Sequence, residues 1–445
     1  MNGFGLIVNQ RIGSYYICED AGADFLTTLD KKAQDVSEIL MSVLPSYNEN
    51  FSKDIIADYH SFLYELDKLG LVFVADTIHE LNKKNEQYQK KRRDYYKICD
   101  TMPEEWILIL QKILGINPLI GLQVEVNEAC NEKCIHCYIP GAVRKLSRPI
   151  SLKILERAID DFVQLGGFRI NLTGGEVLLH RNICDIVDYC YKAGLQISIL
   201  SNLTALNEDQ VSCFKQNNVY SIQTSLYSMN PVVHDSITGV AGSFRKTLNA
   251  IEKLLLKDII VQISCPIMKK NYRDYAAVFD YAKSINCECV STPILIAQSN
   301  FNKTNLKHRL DDSELFEFVK MAKEFKYHTK TSEKCDDDHL CAAGRRNICV
   351  GSNGDVYPCP GWNNFVLGSL YNEGLKEVWT KSTKLDELRH VTYKDFPDCL
   401  KCDDKDYCTP CLVQNYNENN GNMYKVNCYA CKVSNIIKRI NHNLK

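Results

Sequence analysis

Cys130-Asn-Glu-Lys-Cys134-Ile-His-Cys137-Tyr138 is the stretch from which the rest of the chain can be ordered. Its three cysteines, four and three residues apart, turn their sulfurs toward one small centre from a short loop. Three thiolates leave one position of a metal centre open to a substrate or cofactor, whereas a structural zinc site recruits four protein ligands. His136 sits between two of the cysteines, where simultaneous ligation is strained, so zinc is the weaker reading.

The C-x-x-x-C-x-x-C pattern followed by an aromatic residue resembles the signature of radical S-adenosylmethionine (SAM) enzymes. That resemblance implies a catalytic 4Fe-4S cluster on Cys130, Cys134 and Cys137, with Tyr138 beside the cofactor and SAM chelated by the iron that lacks a cysteine. Reduction would split SAM into methionine and a 5'-deoxyadenosyl radical, which takes a hydrogen atom from the substrate.

Bulk properties agree with a soluble enzyme of more than one domain. The chain has 445 residues, 45% of them hydrophobic and 24% charged, with a formal net charge of −2. Such a balance gives no electrostatic case for nucleic acid or an anionic membrane. No apolar run reaches membrane-spanning length and no secretion signal opens the sequence, so a cytoplasmic location is expected. In a reducing compartment, 21 cysteines are metal ligands before they are disulfides.

Residues 1–80 read as a hairpin, FGLIV and SYYIC about the turn Gln10–Gly13, followed by amphipathic helices over 33–44 and 51–69. Gly70 ends the second helix, and LVFVAD is expected to return as a strand. Strands about a small helical core make a winged-helix-like module with an edge able to accept an extended peptide. The arrangement resembles the leader-peptide recognition element of enzymes that modify ribosomally made peptides. A DNA-binding winged helix is disfavoured, because the helices carry acids as often as lysines. Residues 81–118 are a polar, partly helical linker whose Lys90–Arg93 run reads as a solvated helix face.

Between 119 and 325, strands at LQVEV, FRINL, QISIL, SIQTS, IIVQIS and ECVSTP alternate with helical stretches. Alternation of this kind implies an α/β fold with a parallel sheet and right-handed crossovers, here a partial (β/α)6 TIM barrel. Ligand-binding groups then gather at the carboxyl ends of the strands. Thr173-Gly174-Gly175-Glu176 follows the second strand; in the resembling family Gly174, Gly175 and Glu176 receive the amino group of SAM. Ser201, Asn202 and Ser225 end later strands, and the same resemblance gives them the ribose and carboxylate of SAM, against a reading as helix N-caps.

Residues 326–445 hold a second field of cysteines. Asn353-Gly354 predicts a β-hairpin with Cys359 on its far arm. Cys399, Cys402, Cys408 and Cys411 crowd into CLKCDDKDYCTPC, with Cys428 and Cys431 beyond. The field resembles the SPASM extension of peptide maturases, although Cys408 and Cys411 stand one residue closer than is usual. The resemblance implies two auxiliary 4Fe-4S clusters: one on Cys341, Cys359 and Cys411, with Cys349, Cys335 or an open site completing it, and one on Cys399, Cys402, Cys408 and Cys428, where Cys431 is the alternative to Cys428. Trp379 reads as core.

These expectations combine into a radical SAM oxidoreductase of sactisynthase-like order, with three 4Fe-4S clusters and SAM. It would join cysteine sulfur to carbon in a precursor peptide whose leader the N-terminal module binds, fed by a flavodoxin- or ferredoxin-type electron donor. Carbon–carbon crosslinking, formylglycine formation in a sulfatase and a non-enzymatic iron–sulfur redox protein are the alternatives.

Overall fold

The structure is a computed structural model that describes residues 4–9, 14–19, 21–29, 33–46, 52–94, 104–141, 149–322, 335–408 and 410–442. It divides into two compact units, Met1–Ile113 and Leu114–Lys445.

In the first unit β1 (Phe4–Asn9) and β2 (Ser14–Glu19) pair antiparallel, while the turn Gln10–Gly13 lies outside the described residues. Helices Ala21–Thr27, Val36–Val43 and Ser52–Lys68 meet around Phe25, Leu40, Tyr59, Phe62 and Leu66, an apolar core of the unit's own. Asp35 starts the second of these, its carboxylate accepting from the Ser37 amide at 2.8 Å. Gly70, at φ +68°, follows the third. The strand expected at LVFVAD is absent from the described sheet, which has two strands. Side chains have taken the ladder groups of Val74: its amide donates to Asp67 at 2.9 Å, and its carbonyl accepts from Lys84 at 2.5 Å. Helices Ile78–Asp94 and Glu104–Leu114 follow, the first carrying the Lys90–Arg93 run.

The second unit is built on β3 (Gly121–Asn127), β4 (Arg169–Gly174), β5 (Gln196–Leu200), β6 (Ser221–Ser225), β7 (Val261–Pro266) and β8 (Glu288–Thr292), parallel and adjacent in chain order. Helices Leu152–Gln164, Ile183–Lys192, Glu208–Gln216, Ser243–Leu256 and Tyr275–Ser284 make the crossovers. This is the partial barrel the alternation implies. Leu122, Val124, Ile170, Leu172, Ile197, Ile199 and Ile222 are buried in the main core. The alternate positions are polar: Gln123, Asn171, Ser198 and Ser221 align across four strands, and Gln223, Gln262 and Glu288 across three. Gln262 donates to Glu288 at 2.8 Å and accepts from Gln223. A closed barrel fills its interior with branched apolar side chains; this inner face suits a wet chamber instead.

The cysteine-rich half continues the same sheet. β9 (Asn347–Val350) pairs parallel with β3 from Gly121↔Asn347 to Val124↔Val350, β10 (Asp355–Tyr357) returns antiparallel, and β11 (Gly368–Ser369) ends a nine-stranded sheet. The predicted hairpin is present. Gly354 turns it at φ +78°, where a Cβ would lie 2.6 Å from the Tyr371 ring. Trp379 is 1% exposed and donates to the Asn117 carbonyl at 2.8 Å, a core residue as expected. Arg309, beyond β8, pairs with Glu418 of helix Leu412–Glu418 at 2.9 Å, with side chains only 10% and 15% exposed.

Candidate active site

The cysteine loop leaves the carboxyl end of β3 and is held by backbone hydrogen bonds on two sides. On one, the Gly175 amide donates to Asn127 and that of Glu176 to Ala129, both at 2.8 Å. On the other, the Lys133 and Ile135 amides donate to Thr238 and Ile237 at 2.8 and 3.0 Å, at the end of helix Pro231–Thr238. Asn305 reaches the His136 carbonyl at 3.1 Å. The loop geometry is thus fixed by its neighbours, and Cys130, Cys134 and Cys137 remain half-buried.

Donors point at the sulfurs. The Glu132 amide lies 3.5 Å from Cys130 Sγ, Asn202 Nδ2 4.0 Å from the same atom, and the Tyr227 hydroxyl 3.9 Å from Cys134 Sγ. Such contacts tune a cluster's potential. No three His, Cys, Asp or Glu side chains among the described residues are grouped to hold a single ion. An all-thiolate donor set in a preformed loop, with N–H and O–H groups turned to sulfur, fits an iron–sulfur cluster, in which each cysteine takes a different iron.

The two glycines after β4 are explained by this loop. Gly174 has φ +146°, and a Cβ there would lie 2.1 Å from the Asn127 carbonyl oxygen; on Gly175 it would lie 2.3 Å from that of Glu128. Any side chain would push the cysteine segment away. Glu176 is 1% exposed, and burial raises its pKa. Its carboxylate accepts from Ser201 Oγ at 2.6 Å, the Asn202 amide at 2.7 Å and the Leu178 amide at 3.0 Å. Glu176 therefore joins the ends of β4 and β5. Ser201 and Asn202 are not N-caps of the next helix, whose cap is Asn207; nor is Ser225, since Asn230 caps Pro231–Thr238. Asn202 also closes a ring with Asn131 and Thr204 through bonds of 2.8–2.9 Å.

Sequence reasoning missed Glu125. It points inward from β3, is 6% exposed, and accepts from the Tyr357 hydroxyl. Burial pushes its pKa up to about 7 against the lowering effect of hydrogen bonds from Tyr357 and Tyr138. Tyr138 follows Cys137, and Tyr357 precedes Cys359 by two residues, so Glu125 stands between the two cysteine regions. The signal was a lone acid in the alternating strand Leu122-Gln-Val-Glu-Val126.

In the second region burial raises Cys359 most, then the neighbouring Cys411 and Cys341 thiolates. Those three sulfurs are brought together. Cys349 is fully buried on β9, its register partner is Gln123, and burial raises it before Glu125 does. Cys335 is exposed, its amide 2.7 Å from Asp338. Cys399, Cys402 and Cys408 line one small cavity with Cys431, and Cys411 borders it as well. Burial, then Cys408, Cys399 and Cys402, push Cys431 up to about 11. Cys428 and Cys431 are both exposed, in the first turn of helix Cys428–His442, and of the two only Cys431 lines that cavity.

A partial parallel barrel with an open three-thiolate loop at its first strand, faced by a Gly-Gly-Glu turn, defines a radical SAM domain. The Radical SAM superfamily model matches residues 124–295, and the SPASM iron–sulfur cluster-binding domain model matches 341–403. The chain is thus a radical SAM enzyme with a SPASM domain; its core binds a 4Fe-4S cluster and SAM, and the SPASM domain binds auxiliary iron–sulfur clusters. Among curated relatives, the antilisterial bacteriocin subtilosin biosynthesis protein AlbA of Bacillus subtilis is 25% identical over 66% of this chain and 67% of its own. An AdoMet-dependent heme synthase of Methanosarcina barkeri is 23% identical over 66% of this chain and 90% of its own. Among solved structures, Streptococcus suis SuiB bound to precursor peptide SuiA matches with a TM-score of 0.58 and 16% identity, over 93% of this chain and 95% of that one. No helix among the described residues is long and apolar enough to cross a membrane.

Proposed function

We propose that this enzyme modifies a ribosomally synthesised precursor peptide, linking a cysteine sulfur to carbon in a thioether. The observation that carries the reading is the line Tyr138–Glu125–Tyr357, which runs along the polar inner face from the catalytic cysteine loop to the auxiliary hairpin. A substrate in that chamber has a radical source on one border and an electron acceptor on the other. Thioether formation needs both, because it removes a hydrogen atom from carbon, a proton from the thiol and one further electron.

Cys130, Cys134 and Cys137 would hold the 4Fe-4S cluster, which with SAM would supply a deoxyadenosyl radical on reduction. Around it, Gly174, Gly175, Glu176, Ser201, Asn202, Ser225 and Tyr138 shape the cofactor pocket, with Glu176 locking two strand ends so that the pocket is preorganised. Cys341, Cys359 and Cys411 hold the first auxiliary cluster, with Cys349 or Cys335 completing it. Cys399, Cys402 and Cys408 hold the second, and Cys431, which shares their cavity, is a better fourth ligand than Cys428. The N-terminal unit binds the leader of the peptide. The likeness to SuiB, which extends well past the span of the family models, supports that role, as does the name of the subtilosin relative. Tethering there would raise the effective concentration of the core peptide at the barrel. The electron donor is of flavodoxin or ferredoxin type, and the setting is cytoplasmic.

The test is anaerobic incubation of the reconstituted enzyme with SAM, reductant and a cysteine-bearing precursor peptide encoded beside its gene. The expected product has lost two hydrogens per bond and the matching free thiol. A product with the same mass loss and every thiol intact would replace the thioether with a carbon–carbon bond; an unaltered peptide, with SAM cleaved, would remove the peptide reading.

A further inference from the structure

Tyr227 lies two residues beyond the end of β6, and its hydroxyl reaches to within 3.9 Å of Cys134 Sγ. The residue is 4% exposed, and its backbone and ring are both held. Its amide donates to His234 Nδ1 at 3.3 Å, and its carbonyl accepts from Asn271 Nδ2 at 2.9 Å. The His136 and His234 rings pack against the phenol, each with its centroid 5.3 Å away. His234 belongs to helix Pro231–Thr238, whose end receives the Lys133 and Ile135 amides, so phenol and cysteine loop are seated on one support.

A phenol has one hydrogen to give and an oxygen that can accept. Ser225, the last residue of β6, hydrogen-bonds to that oxygen and favours its ionised form, so Ser225 is the donor there and the phenolic hydrogen is left to the sulfur. Cys134 Sγ has a second polar neighbour, Glu132 Oε2 at 3.4 Å. A carboxylate has no hydrogen to offer a thiolate, so Tyr227 is the side-chain donor to this sulfur among the described residues. The two act in opposite senses. The charge of Glu132, which is 3% exposed, opposes added negative charge on the sulfur, and an O–H donor stabilises it.

We propose that Tyr227 tunes the SAM-binding cluster: by donating to Cys134 Sγ it stabilises the reduced state and raises the potential at which the cluster accepts its electron. The step is a one-electron transfer from an external reductant, in which no bond of the protein forms or breaks. The added charge spreads onto the thiolate sulfurs, and a hydrogen bond to sulfur strengthens with it. The proposal rests on the radical SAM cluster itself and is independent of the peptide reading above.

Redox titration of the reconstituted enzyme with dithionite, followed by electron paramagnetic resonance, tests this; the signal that changes on adding SAM identifies the cluster concerned. Tyr227→Phe removes one oxygen and fills the same space. Its SAM-responsive cluster should favour the reduced state about tenfold less, a fall of about 59 mV for one electron, with the iron content unchanged. A residue of merely structural use would lose iron or lower Tm and leave the potential of the remaining cluster where it was. Should Tyr227→Phe not hold its cluster, 3-fluorotyrosine in place of Tyr227 keeps the ring and donates more strongly, and it should raise the potential. An unmoved or higher potential in a Tyr227→Phe protein that retains its iron, or no rise with the fluorotyrosine, overturns the assignment.

Discussion

The two cysteine regions are held by different means. The Cys130–Cys137 loop is pinned from outside by the β4 turn and helix Pro231–Thr238 through backbone hydrogen bonds, each close to 2.8–3.0 Å. The Cys399–Cys408 stretch consists of very short helices, Pro397–Leu400 and Lys405–Tyr407, beside a small cavity that the longer helix Cys428–His442 also lines, with Cys399 and Cys411 packed on an apolar cluster that includes Trp362 and Phe396. A scaffold that exists without its metal can afford an open coordination site. One that lacks regular structure draws its order from the cluster it encloses.

The largest test of that contrast is a pair of substitutions. Cys134→Ala should abolish deoxyadenosine release while leaving the far-UV spectrum unchanged and about eight of roughly twelve irons in place, counting four per cubane. Cys402→Ala should instead lower Tm and shed iron from the SPASM half. If Cys134→Ala unfolds the barrel as readily, the loop is not preformed and the contrast fails.

A smaller effect probes how the halves are joined. Arg309 and Glu418 are nearly buried together, so Arg309→Ala leaves a carboxylate unpaired and should destabilise by about 3–5 kcal/mol in urea unfolding. A loss under about 1 kcal/mol would mean that the pair behaves as an exposed one.

Glu125 gives the mildest effect. Its folded pKa of about 7 stands above the ordinary 4.5. Between those values the native state binds the proton that the unfolded chain has released, so stability falls as pH rises across the window and stays low above it. The drop is on the order of 3 kcal/mol, at about 1.4 kcal/mol per pKa unit. Glu125→Gln should flatten that slope; an unchanged pH profile would place the carboxyl in a wetter setting than its burial indicates.

Much of this architecture was legible because the rules that wrote it are local. The six barrel strands and their crossover helices stand where period and punctuation put them, and Asn353-Gly354 turns the predicted hairpin. The third strand of the N-terminal unit failed because Asp67 and Lys84, seven and ten residues from Val74, compete for its backbone, which an apolar run does not reveal. Glu125 and the Gln223–Gln262–Glu288 row were written in the alternation of their strands, but a parallel sheet is expected to be apolar on both faces, and that expectation hid them. Cys431 was ambiguous for a different reason: it lies one helical turn from Cys428, both are exposed, and only the placement of the final helix sets Cys431 on the cavity that Cys399, Cys402 and Cys408 line.

The direct pairing of β9 with β3 has a consequence for the distance between the two cysteine regions. The strand that leads into the Cys130–Cys137 loop and the strand that leads to the Cys359 hairpin are neighbours in one sheet, so their offset is set by strand spacing. On the function proposed above, a substrate would meet both borders of the chamber at a separation that the sheet, and not the substrate, dictates.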